Sequence, residues 1–418
     1  MRPRTFKPNI LNIPRYVTDY IKQAFKKAYS ELNISYNKEK DCLDFSNANL
    51  DLFNSLVNEF KKEYNIDQTI SLEEFKPYGI RECFRVPDNK WLIDADYATA
   101  EVFAIAYLAN DKRLISTLTE PDPQFALKKM PDGSEKSVRI AYIDDIVQFS
   151  EKAKDKSLLH DPNDPDLLRD EKGNLKHPKQ DVHWMAVENE FLMDTPREKL
   201  DKNKTRDAAG KISNFSIPYG TSPELLERQV ELASGEKPPK GTGQKMIDSY
   251  MKTKPDVAKF LEKCKQSVFN PGYYQAPSGY KRHYSPVIPD VNSGLSDYQR
   301  DKIIQSTQRQ ACNIPLQNLV ADSLARSVVM MHRYCRQHNL KTRIFMPLYD
   351  CNYCEVPKDE ILIIEKLIVD CMSTNNYWDL PGGRLAFTAE PEIGKACGTK
   401  LTKSEKEQLE RDIEILKH

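Results

Sequence analysis

Two aspartates, a lysine and two aromatic residues carry the densest chemistry in this chain. Asp96 closes an apolar, strand-like run, Trp91-Leu-Ile-Asp-Ala-Asp96-Tyr97, and Asp350 lies inside a second one, Ile344-Phe-Met-Pro-Leu-Tyr-Asp350-Cys. Two carboxylates at strand ends can hold a pair of hard divalent cations. Between them runs Lys211-Ile-Ser-Asn-Phe215-Ser-Ile-Pro-Tyr219-Gly220. On a helix, Lys211, Phe215 and Tyr219 recur at i, i+4 and i+8 and offer a cation and two ring faces on one side. Together these are the parts needed to move a nucleotidyl group from a triphosphate.

The elements that must position these groups follow from hydrophobic periodicity. Trp91–Tyr97 reads as a strand, and Thr99 as the cap of a helix running through Val102, Ile105, Ala106 and Ala109. Residues 16–79 read as helical, with Tyr20, Ile21, Phe25 and Ala28, then Leu52, Leu56 and Phe60, at helical spacing. Residues 119–181 differ in character. Glu151 to Asp181 is dense in charge and holds Pro162, Pro165 and Pro178, which predicts a long surface excursion. Helices are predicted at 182–193, 205–217, 222–234 and 243–266, with Pro218 ending or kinking the second of them. Gly272 to Pro286 reads as a hairpin, Ser296 to His338 as long helices, and Arg343 to Val356 as another hairpin. Ile361–Met372 and Lys403–Leu416 read as helices, so the class is mixed α+β.

With 418 residues there is room for two or three domains or one large multi-lobed one. A hydrophobic fraction of 39% supports a core, while 30% charged residues and a mean hydropathy of -0.65 place the chain in water. No apolar run approaches the roughly 18 residues of a membrane span, and the N-terminus lacks the apolar centre of a secretion signal. No membrane association is expected, and a cytoplasmic setting is. The 62 basic and 62 acidic residues cancel, so bulk charge argues neither for nor against nucleic acid. Nine cysteines with no small-domain framework suit a reducing compartment. Cys335-x2-His338 followed by Cys351-x2-Cys354 mimics zinc spacing, but residues three apart on a strand point to opposite faces, and no zinc is expected.

The ordered set of motifs resembles the polymerase portion of a family A DNA polymerase, the DNA polymerase I type. Ile80-Arg-Glu-Cys-Phe84-Arg-Val-Pro87 and Ala95-Asp96-Tyr97-Ala-Thr-Ala-Glu101 are similar to that family's first palm motif and its lead-in. Asp181-Val-His183 resembles the segment at the entrance of the fingers, and Lys211-x3-Phe215-x3-Tyr219-Gly220 resembles its nucleotide-binding helix. Gly279-Tyr-Lys-Arg282 and Arg309-x3-Asn313-x3-Gln317 resemble stretches that touch template and primer. Leu348-Tyr349-Asp350-Cys351 stands where the family usually has Val-His-Asp-Glu. The arginine four before the fingers lysine is absent: Asp207 occupies that position and Arg206 lies one further back, as though Gly210 were inserted. Phe103 stands where the family has an arginine.

The resemblance implies a palm with an antiparallel sheet and helices, plus helical fingers, with no thumb or exonuclease domain in this chain. It implies palm in residues 1–110 (with the 16–79 insertion), fingers in 111–271 (with the 119–181 insertion), and the rest of the palm with a C-terminal helix in 272–418. It further implies that Asp96, Asp350 and the carbonyl of Tyr97 hold two Mg²⁺ ions, for which Mn²⁺ can substitute. Lys211 would neutralise the triphosphate, with His183 and Arg206 as further phosphate contacts. Phe215 and Tyr219 would stack on the incoming base, and Glu101 would close the space a 2′-hydroxyl needs. Arg2, Asn9, Asn12, Arg282, Arg309, Asn313, Gln317 and Tyr349 fall to primer–template contacts. The expected partners are primer–template DNA and dNTPs. Because the segment Arg2 to Pro14 resembles one that follows the thumb, a separate chain carrying thumb or 3′–5′ exonuclease is also expected. A non-catalytic nucleic-acid-binding scaffold and a single-chain RNA polymerase of the same palm class are the alternatives.

Overall fold

A computed structural model of the chain describes residues 84–142, 154–190, 194–284, 294–398 and 403–417, together with residues 32, 35–37, 42–44, 49–55, 58, 152 and 401. Arg2, Asn9 and Asn12, the Ile80–Cys83 part of the lead-in and the helical spacing at Tyr20–Ala28 lie outside the described residues. Among the described residues the strands are β1 (Ser35–Asn37), β2 (Cys42–Asp44), β3 (Lys90–Tyr97), β4 (Phe125–Lys129), β5 (Glu135–Arg139), β6 (Tyr273–Gln275), β7 (Lys281–His283), β8 (Arg343–Leu348), β9 (Cys351–Pro357), β10 (Tyr377–Leu380), β11 (Gly383–Ala386) and β12 (Ala389–Gly394). The main helices are α1 (Ala100–Ala109), α2 (Lys112–Thr119), α3 (Val182–Glu190), α4 (Ile212–Ser216), α5 (Pro223–Ser234), α6 (Thr242–Thr253), α7 (Pro255–Gln266), α8 (Asp297–Gln337), α9 (Ile361–Val369) and α10 (Lys403–Lys417).

The chain forms two compact units. One comprises Met1–Asp96, Met331–Ile368 and Pro391–His418; the other comprises Tyr97–Met330 and Val369–Glu390. The first is organised on a four-stranded sheet in the order β12-β3-β9-β8. β3 pairs antiparallel with β9, from Lys90 opposite Pro357 to Asp96 opposite Cys351. β8 joins β9 through Leu348 opposite Cys351, with a register shift between Ile344 and Met346. On one face Leu92, Leu348, Cys351 and Tyr353 pack with Val86 and Cys397. On the other, Trp91 is fully buried. Its indole N–H donates to Asp412 of α10 at 2.9 Å, and the Lys395 ammonium lies 3.8 Å from the ring centroid. The buried Glu360 carboxylate accepts the Lys341 and Thr342 backbone N–H groups at 2.6 and 2.9 Å and fixes the entry to β8. Within the stretch read as helical, β1 and β2 instead pair as a hairpin, with Tyr36 opposite Leu43. Tyr36 sits between the polar Ser35 and Asn37, a period of two rather than of 3.6.

The second unit is mostly helical. Thr99 precedes α1 as expected, but it adopts a left-handed φ of 56° and its side chain makes no cap hydrogen bond. The predicted helix 243–266 is two helices, because Pro255 opens α7 and Lys254 before it leaves helical angles (φ -126°, ψ 66°). The region 296–338 is one helix of 41 residues that passes through Pro315. The region between 119 and 181 is more than a surface excursion. β4 and β5 form a hairpin, and Ala126, Val138 and Leu167 build a small core under it. Arg139, 1% exposed, ties the hairpin to the helical block through Glu198, Gln124 and Glu188. Its guanidinium lies against the rings of Phe125 and Tyr142 at 4.4 and 4.7 Å. No element is expected between Met372 and Lys403, yet β10, β11 and β12 lie there. At four to six residues each they are too short to stand out by periodicity.

Candidate active site

The sheet register brings the two aspartates to one end of the first unit. Asp96 closes β3 opposite Cys351. Asp350 is not within a strand; with Tyr349 it forms the two-residue loop between Leu348 and Cys351, which are themselves a pair. Asp350 is thus one residue from the cross-strand partner of Asp96. Tyr349 holds a left-handed φ of 58°, uncommon for a side chain of its size, and is 51% exposed. Backbone strain of this kind concentrates where a loop must aim a functional group.

A residue that motif reading passed over joins them. Asp94 stands two before Asp96 on β3, so both carboxylates leave the same face. The Cys351 thiol donates to Asp94 Oδ2 at 3.8 Å. Burial pushes that thiol well above its ordinary range, and the negative charges of Asp94, Asp96 and Asp350 push it further. It is therefore neutral and no ligand for a hard ion. The Asp-x-Asp spacing on a predicted strand was the signal that would have found Asp94.

The donor chemistry fits magnesium. Asp96 and Asp350 supply hard oxygens, with the Tyr97 carbonyl next in the chain, and magnesium is commonly held by one or two protein carboxylates plus substrate phosphates. The Tyr97 side chain is itself committed to packing: it is 3% exposed, lies 5.1 Å from the Phe387 ring and accepts from Asn376 Nδ2 at 3.4 Å. Among the described residues no three His, Cys, Asp or Glu side chains are grouped for one ion. Cys351 and Cys354 point to opposite faces of β9, since they oppose Asp96 and Ile93 respectively.

In the second unit the Lys211 motif has an unexpected backbone. Asn203–Lys211 is π-helical, passing into α4, and the Asp207 N–H donates five residues back to the Lys202 carbonyl at 3.0 Å. A π turn closes over five residues rather than four. The residue five before Lys211, Arg206, therefore returns to the Lys211 side, the place that a residue four back takes on an α-helix. Gly210 makes this packing possible: a Cβ there would lie 2.1 Å from the His183 carbonyl oxygen of α3. Lys211 is exposed, with Nζ 5.9 Å from the Phe215 ring centroid. Asp207, Lys211, Ile212, Phe215, Gln229 and Leu232 line an open groove. α4 ends at Ser216, ahead of Pro218, as expected.

Arg206 donates to Asp181 at 2.7 Å and to Asp207 at 2.5 Å. Burial alone would raise the Asp181 carboxyl, but Arg206 and the Trp184 N–H outweigh it and hold it below the usual range. Asp181 also caps α3, accepting from the His183 and Trp184 N–H groups at 3.0 Å each. His183 is 6% exposed, contacts Asn214 through Nδ1 at 3.1 Å and packs 5.6 Å from the Phe215 ring. Burial, reinforced by Arg206, pulls its imidazole down to about 4. It is a neutral, packed ring that backs Phe215. Tyr219 is half-buried, and Gly220 (φ 71°) abuts Arg309 of α8, whose Cγ a Cβ there would approach to 3.0 Å. Along α8, Arg309 and Gln317 are exposed and Asn313 is half-buried. Arg282 is exposed on β7, and Glu101 is half-buried in the first turn of α1.

The POL domain of Pol1 from M. smegmatis, solved in complex with DNA primer-template and dNTP, shares this fold with a TM-score of 0.50 at 17% identity, over 76% of this chain and 42% of that one. DNA polymerase I of Bacillus subtilis (strain 168) is 23% identical over 313 residues, 75% of this chain and 27% of that protein. The DNA polymerase of Bacillus phage SP01 is 25% identical over 231 residues, 50% of this chain and 24% of that protein. The chain thus spans about a quarter of the length of these relatives. The model of DNA polymerase family A matches residues 162–398, more than half of the chain. The chain belongs to that family.

Proposed function

We propose that this chain is the polymerase part of a template-directed DNA polymerase, adding deoxynucleotides to a primer 3′ end with release of pyrophosphate. The observation that carries the reading is the family match over 162–398 together with a register that sets Asp350 one residue from the partner of Asp96. Asp96, Asp350 and the carbonyl of Tyr97 would hold two Mg²⁺ ions. When bound, these ions would lower the pKa of the primer hydroxyl and offset the charge of the triphosphate. The primer 3′-oxygen attacks the α-phosphorus, the bond to the β-phosphate oxygen breaks, and the hydroxyl proton passes to solvent. Lys211 neutralises the triphosphate and gives a proton to the departing pyrophosphate.

Phe215 and Tyr219 stack on the incoming base, which is worth about 1–3 kcal/mol and tolerates any base. Glu101 fills the space a 2′-hydroxyl would need. Arg309, Asn313 and Gln317 bond the degenerate acceptors of the minor groove and so check pair shape without reading sequence. Arg282 and Tyr349 meet the primer–template backbone and the primer end. Arg206 contacts phosphate by exchanging Asp181 for the nucleotide, and His183 supports the platform from behind. In this reading the sheet serves as palm and the Lys211 helix as part of the fingers. Primer extension with dNTPs or rNTPs, with and without Mg²⁺, tests it. Magnesium-dependent extension with dNTPs is expected; extension with rNTPs alone, or none at all in the folded chain, would refute it.

A further inference from the structure

Asp94 has no part in the reaction just described, yet its position invites one. It leaves β3 on the same face as Asp96, and the two face Tyr353 and Cys351 across the ladder. The Cys351 thiol bridges the strands by donating to Asp94 Oδ2 at 3.8 Å. Cys351 also occupies the position, directly after Asp350, where the family resemblance leads one to expect a glutamate. The carboxylate lacking from β9 is thus present on the neighbouring strand, one thiol away.

Resting on the nucleotidyl-transfer reading, we infer that Asp94 is a positioning residue of the metal site, the counterpart on β3 of a charge this chain has given up on β9. We assign it charge rather than ligation, because its Oδ2 is the oxygen that the Cys351 thiol holds at 3.8 Å. It acts by its charge: a third carboxylate beside Asp96 and Asp350 deepens the negative potential that draws a dication in. The thiol keeps Asp94 in place without competing for a hard ion.

Mn²⁺ titration of the full chain, followed by the electron paramagnetic resonance signal of the free ion and without nucleotide, reads affinity apart from turnover. Asp94→Asn should weaken Mn²⁺ binding about tenfold, and adding Cys351→Glu to it should return affinity to within about twofold, because the charge moves back across the ladder. Asp96→Asn is measured alongside. If Asp94→Asn and Asp94→Ser leave affinity unchanged while Asp96→Asn weakens it, the inference is overturned and the site stands. If Asp96→Asn leaves it unchanged, the site assignment itself falls. A loss in both Asp94 variants that Cys351→Glu does not recover marks a merely structural role and also overturns the inference.

Discussion

Asparagine at position 96 or 350 keeps the side-chain volume and removes the charge that a dication needs. Either substitution should cut nucleotide addition by at least about a thousandfold in single-turnover primer extension. The melting temperature should hold or rise, because one of three neighbouring negative charges is gone. At His183 the effect is on stability. Its folded-state pKa of about 4 lies below the roughly 6.5 of a free histidine, so the unfolded chain takes up a proton first. The stability from this group is complete above about pH 6.5 and is lost as pH falls toward 4, by up to roughly 3 kcal/mol. In His183→Gln that acid limb should be shallower, as read from urea midpoints at successive pH values; an unchanged limb would place the burden elsewhere. Asp96, Asp350 and Lys211 stood out in the sequence as candidates because the chemistry proposed for them is tied to spacing along the chain. The burial of His183 and the charge of Asp94 beside Cys351 were not, since both depend on what lies across a helix pair or a ladder.

At the scale of elements, the decisive piece is the π-helical run into Lys211. The i, i+4 spacing of Lys211 and Phe215 announced a helix, whereas Tyr219, expected at i+8 on the same helix, lies in the turn beyond its end at Ser216. One residue too many ahead of Lys211 was visible as an arginine out of place. That the surplus would be taken up as a five-residue turn was not visible, because propensity does not distinguish the two kinds of turn. Gly210→Ala puts a methyl into the His183 carbonyl of α3 and should cost about 2–3 kcal/mol in chemical denaturation, with weaker dNTP binding as Phe215 loses its support. Ser216→Ala, six residues beyond, gives the comparison; equal losses in both would refute a specific role for the close approach. The two hairpins flanking α8 were legible from alternation and turn residues. The break at Pro255 was also written in the sequence, in a residue that disfavours helical angles in the one before it.

For the molecule as a whole, the stretch between 119 and 181 shows how charge patterning misleads. The charge and prolines of Glu151 to Asp181 predicted a long surface excursion, while nearby Arg139 in fact lies buried between Phe125 and Tyr142 and faces Glu188 and Glu198. Arg197 adds a bond to Asp122 at 3.2 Å, so the hairpin is tied to the helical block by paired charges. Removing Arg139 takes from the buried Glu188 one of two guanidinium partners and leaves Arg197 at 3.7 Å, so the cost should stay below the roughly 3–5 kcal/mol of a buried charge left unpaired. Arg139→Ala should therefore loosen the hairpin first, seen as protease cleavage between residues 119 and 181 before global unfolding. Cleavage at the wild-type rate would show the network to be dispensable. Among the described residues no helix is long and apolar enough to cross a membrane.

The resemblance that marks Gly210 as an added residue ahead of Lys211 also bears on ancestry. Because a π turn absorbs the added residue where it enters, everything downstream keeps its phase, and the change could be inherited without compensating edits. It is tolerated only while the residue against the His183 carbonyl carries no side chain. Descendants of that event should bear two marks together, an extra position before the lysine and a glycine filling it. An alignment forced through the helix without a gap would set Asp207 against the arginine of other lineages and hide the kinship.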